Sequence, residues 1–337
     1  MEQVLIIKKL QHPNGLFAAS AKNVKTGYNR IWLRDNIYTS LSLEGWDEQA
    51  LRNVYWKIFD VLRKFECKID KAIETKPTNK QDYIHPIYTP ELEEIDTEWG
   101  FKQNDSIGLF IFKVADLTLK GVDVVRDKKD YEILQKLVKY LDSIMYWRDL
   151  DNGMWEENEE VHASSVGACL AGLKLIQHCI FRFDKFNRRI VVPRELIVRG
   201  EETLKALLPR ESPTKEVDMA LLSLVYPYGI VNEKMRNIIL KNVEEKLARK
   251  KGVIRYAGDK YYNKNGEAEW TMGLAWLAVI YKKLGNKAKY QNYLKKTLEV
   301  MNANGELPEL YYANSNEHNE NTPLGWAQSL FAVAMRS

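Results

Sequence analysis

The feature that most constrains this chain is the alternation of helical segments with long, aromatic-rich connections. Apolar residues recur at three- and four-residue spacing in eleven segments: 37–45, 47–66, 106–120, 130–147, 164–181, 194–208, 217–226, 232–249, 270–284, 287–301 and 324–335. That spacing gathers apolar side chains on one face of a helix, and burying that face drives packing. Asn232 before Glu233 and Met235 reads as an N-cap, and Gly285 after Leu284 as a helix stop. Strand-like alternation is scarce; Arg189-Ile190-Val191-Val192 is the best short candidate.

The connections differ in character. Some are short, such as Gly285-Asn286, whereas 17–35, 68–105, 148–163, 252–269 and 302–323 are long and rich in Trp, Tyr, Asn, Asp and Glu. Long loops inside a compact domain usually carry function or are disordered. These are too aromatic for disorder. Five such loops between paired helices predict an all-α toroid of helical hairpins with one elaborated face. No Pro/Gly/Ser-rich linker or low-complexity tract divides the chain, so a single domain over 1–337 is expected.

Several classes of function lack support. The 50 Lys and Arg nearly balance the 46 Asp and Glu, giving a net charge of +4 and no electrostatic case for nucleic acid. The histidines (His12, His85, His162, His178, His318) show no metal-ligand spacing, and no cysteine pair sits two residues apart, so neither metal nor cofactor is expected. There is no phosphate-binding glycine motif and no Gly-x-Ser-x-Gly elbow. No apolar run approaches the roughly 20 residues that span a bilayer, so no membrane partner is expected. The N-terminal residues 1–9 lack the apolar stretch and cleavage site of a signal peptide. Of the cysteines, Cys169 and Cys179 fall on one predicted helix. At about 1.5 Å rise per residue they stand roughly 15 Å apart, too far to bridge. A reduced, cytoplasmic chain is expected.

The long loops share a chemistry. The first holds Trp32-Leu33-Arg34-Asp35, and the second Trp99, Gln103 and Asp105. The third holds Trp155-Glu156-Glu157, the fourth Arg255-Tyr256, and the fifth Pro308-Glu309-Leu310-Tyr311. A pyranose needs that mixture: its C–H faces pack on aromatic rings, and its hydroxyls need both donors and acceptors. Glycosidic cleavage needs two carboxyls, one protonated and one ionised. A Glu beside a Trp suits the acid, because partial desolvation raises its pKa. Each motif alone also has an ordinary reading. Trp-Glu-Glu in a polar loop is commonly a surface turn around one buried ring, and Arg34–Asp35 can be an ion pair opening a helix. Only a closed fold brings Glu156 and Glu309 together.

The ordered motifs resemble glycoside hydrolase family 15, the glucoamylase family, and still more the hydrolase-like N-terminal region of the phosphorylase kinase α and β subunits. They run in order along nearly the whole chain: Gly15–Ser20 by position, Trp32-Leu33-Arg34-Asp35-Asn36-Ile37-Tyr38, Trp99-Gly100, Trp155-Glu156 and Ala163-Ser164-Ser165-Val166-Gly167. Leu207-Leu208-Pro209-Arg210, Lys215-Glu216-Val217-Asp218, Glu269-Trp270, Leu307-Pro308-Glu309-Leu310-Tyr311 and Trp326-Ala327-Gln328-Ser329-Leu330 follow. The resemblance implies an (α/α)6 barrel with Glu156 as general acid and Glu309 as general base. It implies that Arg34 and Asp35 hold the non-reducing-end glucose and that Arg255 binds substrate. Trp32, Trp99 and Trp155 would wall the pocket, with Gln103, Asp105 and Glu157 as polar partners.

The implied reaction is inverting release of glucose from α-glucan or α-gluco-oligosaccharide ends, without metal. The carboxyls should then stand about 6.5–9.5 Å apart. Two other readings stay open: a catalytically silent sugar-binding or regulatory module, and a trehalose-cleaving relative. The barrel-like motifs begin by residue 15, so the N-terminal β-sandwich of many microbial members is not expected. The motifs set no oligomeric state.

Overall fold

The computed structural model describes residues 2–95 and 99–336. Asp96, Thr97 and Glu98, in the second predicted loop, lie outside the described residues, as do the terminal Met1 and Ser337. The chain divides into two compact units, Met1–Asp47 with Lys215–Ser337, and Glu48–Thr214.

In the first unit, the inner helices are those buried on every side. Every residue of Leu33–Ser40 is buried, and so is every residue from Thr271 to Tyr281 in the helix Thr271–Lys283. A helix enclosed on all sides forms core rather than surface. Thr271–Lys283 packs against Lys287–Glu299 and Gly325–Met335, and Gly325–Met335 also receives Leu33–Ser40 and Glu2–Lys9. The outer helices are amphipathic. Glu233–Asn242 buries Ile239 and Leu240, and Lys287–Glu299 buries Tyr293 and Thr297. Their caps are side-chain amides: Met235 N donates to Asn232 Oδ1 at 2.9 Å, and Lys289 N to Asn286 Oδ1 at 3.1 Å. Gly285, at φ 71°, follows Thr271–Lys283 as the expected left-handed stop.

In the second unit, Asn104–Leu119 lies against Ala163–Arg182, which in turn packs on Arg194–Leu207. Small residues make the first contact close. A Cβ on Gly108 would sit 2.4 Å from Cys169 N, and one on Gly172 would sit 2.7 Å from Gly108 O. Glu48–Lys64, Glu66–Glu74 and Lys128–Ser143 complete the longer helices of this unit. Among the described residues, Ala163–Arg182 alone is long and apolar enough to cross a membrane, and 67% of its apolar window is buried inside the protein. Cys169 and Cys179 are free thiols on this helix, as the spacing predicted.

The structure departs from the sequence reading at several places. Arg189–Val192 is no strand. The Val191 backbone bonds the Gln135 side chain instead, N to Oε1 at 2.6 Å and O from Nε2 at 3.3 Å, and Val191 is exposed. Glu2–Lys9 is a helix despite the β-branched Val4, Ile6 and Ile7, which it buries. Glu66–Glu74 is a helix within the predicted second loop, held by packing on Lys128–Ser143. The segment 217–226 shortens to the 3-10 turn Met219–Leu221 and the helix Leu222–Val225, ending before Pro227. The segment 232–249 finishes in a π turn, Val243–Leu247.

Gly108→Ala should cost about 1–3 kcal/mol, because the added methyl meets backbone rather than a movable side-chain tip. Thermal unfolding checks this; an unchanged melting temperature would mean that the helix contact is looser than described.

Candidate active site

In the first unit, the Arg-Asp loop turns into the helix Leu33–Ser40, placing Asp35 in its first turn, where a carboxylate meets the positive end of the helix. Asn36 ties this entry to the chain before it. Its Oδ1 accepts from Phe17 N at 2.7 Å, and its Nδ2 donates to Trp32 O at 2.8 Å and Phe17 O at 3.0 Å. Trp32, Arg34 and Asp35 are all buried, and the Arg34 guanidinium stands 6.0 Å from the Trp326 ring centroid.

Arg255 is held rigidly. Asp259 takes it in a bidentate pair, Nε to Oδ2 at 2.7 Å and Nη2 to Oδ1 at 2.6 Å. Its guanidinium lies 5.0 Å from the rings of both Tyr261 and Trp270. Trp270 is in turn fixed by the antiparallel pair Glu269–Trp270 with Leu310–Tyr311, which leads out of Glu309.

Glu309 is fully buried. Its Oε2 accepts from Asn319 Nδ2 and, at 2.8 Å, from Asn321 Nδ2. Oε1 meets no group with hydrogen-bond geometry among the described residues. Burial pushes the Glu309 carboxyl above the usual carboxylate range, while Asn321, the nearby Tyr28 hydroxyl, Asn319 and Arg255 pull it back. Tyr28 links the parts of this cluster. Its ring is 5.5 Å from Trp32, and its hydroxyl is 3.1 Å from that of Tyr261. Burial and then the Glu309 charge hold the Tyr28 hydroxyl far above its ordinary pKa, so it remains a neutral donor.

In the second unit, Asn152 stitches two loops. Its backbone N donates to Lys102 O at 2.7 Å, its Oδ1 accepts from Lys102 N at 2.9 Å, and its Nδ2 donates to Glu157 O at 2.6 Å. Gly100 has to be glycine here, since a Cβ would lie 2.3 Å from Asn152 Cγ. Asp151 anchors the same loop: Oδ2 accepts from Asn104 N at 3.1 Å, and Oδ1 lies 3.0 Å from His162 Nδ1. Between these anchors the chain turns tightly through Gly153 at φ 63° and Glu156 at φ 62°. A left-handed glutamate costs roughly 1–2 kcal/mol, a strain that surrounding anchors must hold in place. Trp99, Trp155, Glu156 and Glu157 are half-buried there, whereas Gln103 and Asp105 are buried. Gln103 Nε2 donates to Gly100 O at 3.0 Å, and Asp105 sits in the first turn of Asn104–Leu119.

The expected site residues thus form two groups. Trp32, Arg34, Asp35, Arg255 and Glu309 belong to the first unit, and Trp99, Gln103, Asp105, Trp155, Glu156 and Glu157 to the second. Among the described residues, no cluster of three or more His, Cys, Asp or Glu side chains is arranged to hold a metal ion. Sequence reasoning missed Tyr28, Asp259, Asn319 and Asn321. Tyr28 lies four residues before Trp32, and Asp259 four after Arg255, but the two asparagines sit in a stretch that reads as an ordinary polar loop.

These features are those of a helical glycosidase fold. The family model for glycosyl hydrolases family 15 matches residues 3–187, more than half of the chain. The chain belongs to that family. A glycosidase variant solved in complex with glucose shares 20% identity at a TM-score of 0.83, covering 99% of this chain and 94% of that one. A bacterial glucoamylase complexed with acarbose shares 14% identity at a TM-score of 0.75, covering 98% of this chain and 54% of that one. The fold is accordingly the all-α (α/α)6 barrel of the glucoamylases. A probable phosphorylase b kinase regulatory subunit alpha of Caenorhabditis elegans is 27% identical over 395 aligned residues, 96% of this chain and 32% of that protein. The chain therefore spans about a third of the length of the curated relatives it matches.

A carboxyl whose pKa is raised in the folded state binds its proton more tightly there than in the unfolded chain. It costs the fold nothing in acid, and progressively more as pH rises through and beyond the ordinary carboxyl range. Glu309→Gln should therefore melt higher than the parent at neutral pH, with the advantage vanishing near pH 4. Melting curves across that range check it; a variant less stable than the parent only at neutral pH would mean that Glu309 is stabilised rather than penalised by its surroundings.

Proposed function

We propose that this chain is an inverting glycoside hydrolase that releases glucose from the non-reducing ends of α-glucans or α-gluco-oligosaccharides. The observation that carries this reading is Glu309, a fully buried carboxyl with one oxygen tied by two amides and the neutral Tyr28 hydroxyl beside it. A general base needs that arrangement: a fixed group, ionised by its donors, with one lone-pair face available to a water. Glu156 takes the role of general acid. Its half-buried position at the tip of an anchored, left-handed turn supports this, since such strain is retained where a side chain has to be aimed.

In this mechanism Arg34 and Asp35 hold the terminal glucose, and Arg255, locked by Asp259, bonds its hydroxyls. Trp32, Trp99 and Trp155 pack on the sugar faces, and Gln103, Asp105 and Glu157 complete the polar wall. Glu156 protonates the glycosidic oxygen while Glu309 takes a proton from water attacking the opposite face, so the anomeric carbon inverts. No metal or other cofactor takes part. The two carboxyls lie in different units, so the reading requires 1–337 to act as one catalytic domain with the carboxyls about 6.5–9.5 Å apart. The buried free thiols Cys169 and Cys179 support residence in a reducing, cytoplasmic compartment.

A second reading is favoured by one observation, the 27% identity to a kinase regulatory subunit. It is a sugar-binding module without turnover. A trehalose-cleaving activity is the variant of the first reading that changes only the linkage.

The deciding experiment is a panel of α-glucosides, maltooligosaccharides and trehalose included, with the released anomer followed by NMR. β-Glucose from the parent, and a kcat reduced by about 10²–10⁴-fold in Glu156→Gln with melting temperature unchanged, are the expected results. Saturable glycan binding without release of sugar from any member of the panel would instead establish the silent module.

A further inference from the structure

The loop after Glu309 folds back on it as a hairpin. Leu310–Tyr311 leads into a tight reversal in which Tyr312 N donates to Glu317 O at 3.0 Å and Asn314 takes a left-handed φ of 56°. The returning strand pairs through Asn319 N to Leu310 O at 3.2 Å, and Glu309 N donates to Asn321 O at 2.9 Å. The returning segment bends at Glu320, and the side-chain amides of Asn319 and Asn321 both reach the same Glu309 oxygen, Oε2.

The orientation of one amide is set independently. Thr26 Oγ1 donates to Asn321 Oδ1 at 2.6 Å. With its oxygen occupied by that hydroxyl, the Asn321 amide has to present its nitrogen to Glu309. All of these atoms lie in the first unit. The groups facing the carboxyl, besides the amides, are Tyr28, Tyr261, Tyr262 and Arg255. Three are phenols that stay neutral, and the guanidinium is already paired with Asp259.

We propose that Asn319, Asn321 and Thr26 form a positioning clamp that keeps Glu309 ionised while buried and leaves Oε1 as the oxygen that neither amide holds. The inference rests on the reading of Glu309 as general base. A donor to the ionised carboxylate lowers its pKa, and a fully buried carboxylate without donors would take up a proton instead. Two donors on the same oxygen also withdraw basicity from it and fix the rotation of the carboxyl about its last bond. Thr26 acts one bond further away, by forbidding the amide flip that would turn an oxygen toward the carboxylate.

The test reads Glu309 itself. Protein labelled with carbon-13 at the glutamate carboxyl is titrated by NMR, with the Glu309 signal identified by its absence in Glu309→Gln. In Asn321→Ala the midpoint should rise by about one unit, leaving roughly tenfold less ionised base at a given acidic pH. Thr26→Val keeps both amides and should give a smaller rise of the same sign, and it serves where Asn321→Ala destabilises the fold. In the active enzyme, the acidic limb of kcat/KM should move up with the midpoint, and kcat should fall while KM stays within about threefold. An unchanged Glu309 midpoint in both variants overturns the clamp, whatever happens to melting temperature. A parent that releases no sugar overturns the reading of Glu309 as a base, while the titration still decides whether the clamp sets its charge.

Discussion

A carboxyl that has lost all contact with solvent keeps its charge only if the protein supplies what water gave up. At Glu309 that supply comes from the amides of Asn319 and Asn321, the neighbouring Tyr28 hydroxyl and the charge of Arg255. Much of the first unit is arranged to hold those donors still. The hairpin after Glu309 carries the amides, the Glu269–Trp270 pairing carries the ring beside Arg255, and Asp259 locks the guanidinium. Removing any one of them raises the affinity of the carboxyl for a proton.

The second unit meets a different demand with different means. Glu309 is fully buried, whereas Glu156 is half-buried. What fixes it is backbone. Asn152 bonds two loops together, Asp151 bridges a helix start to His162, and the turn beside them holds Glu156 at a left-handed φ. A proton donor benefits from partial desolvation, and a base benefits from donors that keep it charged. In the proposed mechanism the half-buried carboxyl is the acid and the fully buried, amide-held one the base.

The helices were legible because their burial follows directly from periodicity. Thr271–Lys283 and Gly325–Met335 are apolar all round and became inner helices, whereas Lys287–Glu299 shows a narrow stripe and became an outer one. The errors came where tertiary packing outweighed local pattern. Glu66–Glu74 forms a helix because Ile69 and Ala72 find a partner in Lys128–Ser143, which its own sequence does not announce. Arg189–Val192 has strand-like residues but no neighbouring strand, and a glutamine side chain takes its backbone bonds.

The site was legible only in part, for a related reason. Aromatic and charged residues in loops are visible by type, so Trp32, Arg34, Arg255 and Glu309 could be picked out. Asn319 and Asn321 are ordinary loop residues by type, and their role depends on the register of a hairpin that sets them opposite Glu309. A change in that pairing would carry both amides away from the carboxyl, leaving a buried carboxylate without its donors. Register is therefore where the fold and the chemistry of the first unit become the same problem: the backbone bonds Glu309 N to Asn321 O and Asn319 N to Leu310 O decide the charge of a side chain they never touch.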